Sequence, residues 1–192
     1  MLTVEADLGS VERRLAAGGV SCPVCDGRLA PWGWARPRVL RGPGEVRTLV
    51  RPRRACCRRC GATQVLLPVL ALARRADLVE VIGAALAAKA AGAGCRTIAA
   101  AVGRPVDTVR GWVRRFGARA EEVRSAFTVL LVDTGPDPVV PAAAGSLFAD
   151  AVAAVVGAAV AVAARWPLLG VVSPWWAASA VTRGGLLAPF WP

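Results

Sequence analysis

The chain has 192 residues, with 24 basic residues against 13 acidic ones and a formal net charge of +11. It contains no histidine, which excludes Ser-His and Cys-His nucleophile pairs, histidine metal ligands and proton transfer by imidazole. With 55% hydrophobic and 19% charged residues, the chain is apolar enough to build a packed core. Its length allows one domain or two small ones.

The positive charge is concentrated in the first two-thirds of the chain. Residues 1–127 hold 22 of the 24 basic residues and 10 of the 13 acidic ones, and residues 28–75 alone carry twelve arginines and one acid, Glu45. The planar guanidinium of arginine can give two parallel hydrogen bonds to a phosphate or to guanine. This cationic block therefore predicts a nucleic-acid partner, with a solvated arginine-rich surface as the alternative.

Two Cys-x-x-Cys pairs predict a metal-binding ribbon over residues 21–68. Cys22-Pro-Val-Cys25 and Cys57-Arg-Arg-Cys60 each precede a small turn, and two such knuckles place four thiolates around one structural zinc ion. Residues 1–20, predicted as an N-terminal helix or arm, are mixed and polar rather than a secretory signal, so a reducing cytoplasm favours metal over disulfides or a redox pair. The predicted ligands are Cys22, Cys25, Cys57 and Cys60. The spacing leaves open whether Cys56 replaces Cys57, and Cys95 is interpreted as a buried helix residue.

The segment between the two cysteine pairs predicts a β-hairpin. Strand-like residues occupy 32–40 and 46–55, on either side of a turn at Arg41-Gly42-Pro43-Gly44. Metal binding would close the open end of this hairpin, as in a zinc ribbon. The basic side chains predicted to contact phosphates from the hairpin are Arg51, Arg53 and Arg54.

Residues 76–127 predict three helices that include a helix-turn-helix. Asp77 to Glu80 has the form of a capping box, a first helix runs to about residue 91, and two further helices cover 96–102 and 106–116 around a turn at Gly103. In this motif the last helix lies in the major groove and its early outward residues reach base edges. The predicted DNA contacts are Arg104, Asp107, Thr108, Arg110, Gly111, Arg114 and Arg115. Arg110 and Arg114 are predicted to read guanine.

A series of short motifs carries a resemblance to a known group of proteins. The motifs are Cys-Pro-Val-Cys at 22–25, Pro-Trp-Gly-Trp-Ala-Arg at 31–36, Pro-Arg-Arg-Ala-Cys at 52–56, Leu-Leu-Pro at 66–68 and Thr-Val-Arg-Gly-Trp at 108–112. The series resembles actinobacterial proteins with a zinc ribbon and a helix-turn-helix, which are in turn similar to the DNA-binding N-terminal part of insertion-sequence transposases. The resemblance spans about residues 12–125 and implies a metal-stapled DNA-recognition module. Two departures are the extra thiol of Cys56 and Gly111 inside the recognition helix, where glycine weakens a helix by about 1 kcal/mol relative to alanine.

The last third of the chain is nearly uncharged. Residues 128–144 are predicted as a proline-containing linker and residues 145–192 as an apolar helical tail. The run 147–164 is about 27 Å long as a helix, enough to cross a bilayer, but alanine drives insertion poorly and Asp150 adds a cost. We therefore expect two helices that pack on the DNA-binding core or on a partner subunit, with a membrane anchor over residues 147–182 as the alternative.

These patterns predict an α+β, mostly α protein that binds double-stranded DNA sequence-specifically, as a transcriptional regulator or a transposon-associated protein. We expect it in the cytoplasm at the nucleoid, with structural Zn²⁺ and with the tail available for a homodimer. We expect no enzymatic activity, because residues after Phe127 are too few for a catalytic domain with three metal-binding carboxylates. The alternatives are a DNA-binding regulator anchored at the inner side of the membrane and a zinc-ribbon module that binds another protein.

Overall fold

The structure, a computed structural model, describes residues 1–135 and 137–188. Among these residues every strand lies between positions 2 and 68, and helices dominate from position 79 onwards, so the mixed α+β class is confirmed. The strands are β1 (Leu2–Val4), β2 (Leu29–Trp34), β3 (Arg38–Arg41), β4 (Arg47–Val50), β5 (Arg53–Cys57) and β6 (Thr63–Pro68). The helices are α1 (Leu8–Ala16), α2 (Val79–Ala90), α3 (Cys95–Val102), α4 (Val106–Gly117), α5 (Ala120–Thr134), α6 (Leu147–Arg165) and α7 (Pro174–Val181), with a 3₁₀ turn at Pro167–Leu169.

The predicted hairpin is present, but each of its arms is divided into two strands. β2 pairs with β5 and β3 pairs with β4, both antiparallel. The arms break at Pro37 and Pro52, because proline has no N–H to donate to a strand partner. Beyond the break, Leu40 and Val50 form a small core of their own with Leu67 and Ala71.

The main sheet has four strands in the order β1-β6-β5-β2. β6 runs antiparallel to β5, and β1 adds to β6 in parallel. The predicted N-terminal arm thus supplies an edge strand as well as α1, whose Val11 and Leu15 pack on the ribbon core. Asp7 caps α1 by accepting a hydrogen bond of 2.7 Å from the Ser10 amide, as an N-cap carboxylate does.

Helices α2, α3 and α4 lie close to their predicted positions, but the predicted capping box is wrong. Leu78 is the N-cap of α2, and no side chain caps this end. The Asp77 carboxylate is instead committed to two arginines, and Glu80 accepts a hydrogen bond from Ser173. Gly103 ends α3 with a φ of 64°, the left-handed conformation that the sequence predicted for this turn.

The predicted linker begins too early. α5 continues to Thr134, so residues 128–134 are helical. Phe127 and Leu131 lie four positions apart on one face of the helix and are both buried in the helical core, which holds the chain helical through the predicted boundary. Of the predicted linker, residue 136 lies outside the described residues.

Both tail helices pack on the helical core, the first of the two arrangements expected. Phe148 of α6 contacts the Phe116 ring with centroids 4.8 Å apart, and Trp175 of α7 packs against α2 at Gly83. Within the described residues α6 is also the one helix long and apolar enough to cross a membrane, with a mean hydropathy of 2.2 and 39% of the segment buried. Residues 189–192 of the predicted tail lie outside the described residues.

Candidate metal centre and basic surface

The two Cys-x-x-Cys knuckles fold in the same way. In the first, the Cys22 amide donates to the Gly27 carbonyl at 2.7 Å, and in the second the Cys57 amide donates to the Ala62 carbonyl at 2.9 Å. Each knuckle is therefore a loop closed between its first cysteine and the residue five positions later. This repetition brings both cysteine pairs to the same end of the β2–β5 hairpin, where Leu29 pairs with Cys57.

Each knuckle also contains one residue with a left-handed backbone, four positions after its first cysteine. That residue is Asp26 in the first knuckle, with a φ of 55°, and Gly61 in the second, with a φ of 73°. Glycine adopts this conformation without strain and aspartate tolerates it better than most residues. The first knuckle therefore makes its turn with aspartate and the second with glycine.

The four predicted ligand cysteines converge. Their sulfur atoms all lie within 4.8 Å of one another, with Cys22 and Cys60 3.8 Å apart and Cys25 and Cys57 3.5 Å apart. These separations exceed the S–S bond of about 2.05 Å, so the cysteines are free thiols. A tetrahedral zinc site with Zn–S bonds of about 2.3 Å requires sulfur separations of about 3.8 Å, which is close to this arrangement.

Backbone amides point at the sulfurs in both knuckles. The Val24 amide donates to Cys22 Sγ and the Arg59 amide to Cys57 Sγ, each at 3.4 Å. Such N–H···S hydrogen bonds favour the thiolate form that binds a metal. The two equivalent bonds indicate that both knuckles are built to hold negative charge.

Gly27 has no room for a side chain beside this cluster. A Cβ at this position would lie 3.1 Å from Cys57 Sγ, 3.3 Å from Cys25 Sγ and 2.8 Å from the Cβ of Arg59. The first knuckle therefore needs glycine here for close approach to the sulfurs rather than for its backbone angles.

The pKa values of two of the thiols are shifted in opposite directions. A hydrogen bond from the Cys60 amide, together with one from the Arg59 amide, lowers the pKa of the Cys57 thiol to about 6. The Ala62 amide acts in the same direction on Cys60, but hydrogen bonding with Cys25, burial and the other thiols raise the pKa of the Cys60 thiol to about 12. A cation that binds all four sulfurs must therefore displace protons from the cluster.

The ambiguity over Cys56 is resolved by strand alternation. Cys57 points into the thiol cluster, whereas Cys56 lies on the other face of β5 with its Sγ 3.4 Å from the Gly61 carbonyl oxygen. Neighbouring residues of a strand face opposite sides of the sheet, so both cannot join the cluster. Cys95 begins α3 and packs partly buried against the helical core.

Most of the predicted DNA contacts lie at the surface. Arg110 and Arg114 are exposed on α4, and Arg110 makes a 3.0 Å ion pair with the exposed Asp107 one turn earlier. The other predicted contacts that are exposed or partly exposed are Thr108, Arg115, Arg51 and Arg54.

Three residues of the predicted contact set are buried or largely buried in this structure. The Arg104 side chain is 5% exposed and its Nε lies 2.5 Å from Asp77 Oδ1. Gly111 is buried rather than outward-facing, beneath the Arg115 guanidinium, which donates to the Gly111 carbonyl at 3.0 Å. Arg53 is 13% exposed and pairs with Glu12 at 2.6 Å.

Arg53 has further partners inside the ribbon. Its Nη1 donates to the Gly33 carbonyl, and its guanidinium lies 4.6 Å from the Trp34 ring centroid. Arg51 approaches the same ring at 5.6 Å. Trp34 thus stacks with two arginines of the opposite arm of the hairpin, an arrangement that cation–π attraction favours.

An ion-pair network that the sequence did not predict joins the ribbon to the helices. Asp77 accepts from Arg104 through Oδ1 and from Arg41 of β3 through Oδ2, the latter at 2.9 Å. Arg104 also donates to the Gly42 carbonyl in the hairpin turn at 2.6 Å. Breaking such a buried pair leaves an uncompensated buried charge, so the network stabilises the junction only while both partners are present.

Comparison of the chain with family models, with curated proteins and with solved structures gives no match in any of the three.

Proposed function

We propose that the protein binds double-stranded DNA sequence-specifically, as a transcriptional regulator or transposon-associated DNA-binding protein without catalytic activity. The observation that carries this proposal is the exposed basic face of α4, where Arg110 and Arg114 follow the left-handed turn at Gly103. A helix presented after such a turn, with arginines on its outward face, suits insertion into the major groove. In this reading α3 and α4 are a helix-turn-helix.

The rigid link between the hairpin and α4 supports the proposal. Arg104, two residues before α4, is hydrogen-bonded to the hairpin turn and paired with Asp77. The exposed arginines of the hairpin and those of α4 therefore keep a fixed relative position. DNA recognition needs this arrangement, because phosphate contacts set the register in which base contacts are made.

We propose zinc as the ion held by Cys22, Cys25, Cys57 and Cys60. Four thiolates fill a tetrahedral zinc site and leave no open coordination position, which suits a structural rather than a catalytic ion. Metal analysis after anaerobic purification should give one zinc per chain. A metal-free but folded protein would contradict the assignment.

The DNA-binding proposal is tested by fluorescence anisotropy with duplex DNA selected from a random pool. We expect the affinity for DNA to fall steeply with rising salt. Arg110→Ala and Arg114→Ala should each lose about 1–3 kcal/mol of binding free energy for the selected site. Arg165→Ala is the matched control, because Arg165 is exposed at the far end of α6 and its substitution removes the same charge. Equal losses in all three variants, or no salt-dependent binding, would reject the proposal and leave the ribbon as a protein-interaction module.

A membrane-tethered form of the same protein is a second candidate, favoured by the exposed apolar segment that follows α6. Trp166 is half exposed, Leu169 is more than half exposed, and Leu168 and Val171 are fully exposed. Arg165 precedes this segment as a basic flank. Co-flotation with anionic liposomes that Leu168→Asp abolishes would favour tethering at the inner face of the membrane. A concentration-dependent dimer that the same substitution dissociates would instead favour the homodimer, with the protein free in the cytoplasm at the nucleoid.

A further inference from the structure

A cleft lies between the broken arms of the ribbon hairpin and the segment that leads into the helices. Its volume is about 570 Å³, and its lining includes Arg36, Arg38 and Arg74 but no aspartate or glutamate. This volume falls within the range of small-molecule sites, about 300–1,000 Å³. The cleft is separate from the thiol cluster and from α4.

Arg38 is an unusual residue for its position in the hairpin. It stands two residues before Leu40, which is fully buried, and alternate residues of a strand share a face. The strand therefore turns an arginine toward the protein interior. Nε and Nη2 of Arg38 are buried without a hydrogen-bond partner among the described residues, and burial lowers the pKa of its guanidinium.

Two neighbouring arginines, one at the surface and one buried, show what Arg38 lacks. Arg41, on the same strand, and Arg104 both reach the Asp77 carboxylate. An unpaired, partly buried guanidinium is costly, since its charge has lost water without gaining a counter-charge. Within the described part of the chain, no acid offers Arg38 the partner that Asp77 gives its neighbours.

The two remaining arginines of the cleft add positive charge without neutralising it. Arg36 and Arg74 are exposed and make no ion pair with the described residues. Arg74 is held with a φ of 57°, a left-handed conformation that costs a non-glycine residue about 1–2 kcal/mol. The preceding residue holds the chain in place at Arg74, because the Ala73 amide donates a hydrogen bond of 2.8 Å to the Gly184 carbonyl.

We propose that this cleft is a binding site for a phosphate-bearing anion, with Arg38 as its central ligand. Three guanidinium groups without an acid suit a multiply charged oxyanion better than a single carboxylate, because phosphate offers several acceptor oxygens and up to two charges. The phosphate belongs either to a small free anion or to the backbone of a nucleic acid. The site itself does not depend on the proposed role of α4.

The site is tested with the full-length, metal-loaded chain and inorganic pyrophosphate as the probe, by isothermal titration calorimetry. We expect saturable binding, weakened at least about tenfold in Arg38→Gln because the buried fork is lost. Arg96→Gln is the control, since Arg96 is exposed on α3 and lies outside the cleft lining, and its substitution removes the same charge. Absence of binding, or equal weakening by both substitutions, would overturn the proposal.

A second measurement separates a binding arginine from a structural one. If Arg38 is kept for a ligand, Arg38→Leu should raise the melting temperature of the anion-free protein, because it removes an unpaired buried charge. Pyrophosphate should raise the melting temperature of the wild type but not of this variant. A lower melting temperature for Arg38→Leu without the anion would show a structural role and overturn the proposal.

Competition with duplex DNA identifies the source of the phosphate. Displacement of a labelled duplex by pyrophosphate, with weaker duplex binding by Arg38→Gln, would place a nucleic-acid phosphate in the cleft. Pyrophosphate binding that leaves duplex affinity unchanged in both proteins would assign a small free anion. Loss of DNA binding in Arg110→Ala with pyrophosphate affinity retained would keep this site distinct from the one on α4.

Discussion

Different interactions stabilise the ribbon and the helical body, the region formed by α2 to α7. Among the described residues, the ribbon core has nine buried members, and two of them are predicted ligand cysteines, Cys22 and Cys57. The helical core has 24 buried members within the same part of the chain, drawn from α2 to α7 and the segments beside them. Hydrophobic stabilisation grows with the apolar area removed from water, so we expect the helical body to be the more stable of the two regions without a bound ion.

This difference gives the proposed metal centre a physical role. Because the unfolded ribbon has no preformed site, binding of an ion to the four thiolates contributes directly to ribbon folding. The helical body gains nothing comparable from the ion. The two regions should therefore respond differently to each change below, and amide hydrogen exchange measured by mass spectrometry reports on both at once.

Loss of the proposed zinc ion should have the largest effect. In Cys57→Ser, or after chelation, we expect β2, β5 and β6 to lose exchange protection while α5 and α6 keep it, since structural zinc contributes about 10–16 kcal/mol of binding energy in small zinc modules. Cys56→Ser is the matched control, because Cys56 lies outside the cluster. If the helices unfolded together with the ribbon, the two regions would be one cooperative unit.

Removal of the Asp77 carboxylate should have the next largest effect, at the junction of the regions. Asp77→Ala leaves Arg104 buried without its counter-charge, which costs about 3–5 kcal/mol. We expect a lower midpoint in urea and faster exchange in β3, β4 and the start of α2. Asp107→Ala, which breaks an exposed pair, should leave the midpoint unchanged.

A double substitution tests whether the loss of stability comes from the unpaired charge of Arg104. Asp77→Ala together with Arg104→Met removes both buried charges, so much of the lost stability should return. Additive losses in the double variant would show that Asp77 stabilises the junction by some other contact.

Gly83→Ala should destabilise the helical body alone. A Cβ at this position would overlap the Trp175 ring, so α7 must shift at a cost of about 1–3 kcal/mol. The sign is informative, because alanine in place of glycine within a helix otherwise adds about 1 kcal/mol of stability. Thermal unfolding measures the change, and Ala84→Ser, at an exposed position of the same helix, is the control. If Gly83→Ala stabilised the protein, α7 would not pack against α2 at this position.

The smallest expected effect is local to α6. Ser146 accepts a hydrogen bond of 3.2 Å from the Ala149 amide at the start of this helix, and replacing such an N-cap with alanine costs about 1 kcal/mol. Urea unfolding should detect the loss in Ser146→Ala. Ser125→Ala, an exposed position within α5, should show none, and equal losses would argue against the cap.

Patterns of local origin were predicted well. The Cys-x-x-Cys spacings identified all four residues of the thiol cluster, and the glycine at 103 located the turn between α3 and α4. Both signals depend on a few neighbouring residues, and their physical requirements are narrow. Alternation of neighbouring strand residues then decided between Cys56 and Cys57, which spacing alone did not.

Features that depend on distant partners were predicted poorly. Asp77 carries the sequence of a helix cap, but Arg41 and Arg104, which are 36 and 27 positions away, compete for its carboxylate. Arg104 lies in a helix-turn-helix pattern that marks it as accessible, yet its contacts with Asp77 and Gly42 bury it. Propensity and spacing describe a chain segment by itself, so they cannot report which groups arrive from elsewhere in the fold.

An ion bound to the thiol cluster would also act on the chain as a cross-link. Cys25 and Cys57 are 32 positions apart, and every residue of β2, β3 and β4 lies between them. If the ion stays bound while the strands separate, the hairpin becomes a closed ring rather than a free coil, and a cross-link over this length removes about 4 kcal/mol of chain entropy from the open state. The arginines of the hairpin then stay close to the residues with which they pair across the strands. The hairpin should therefore close again quickly after each local opening.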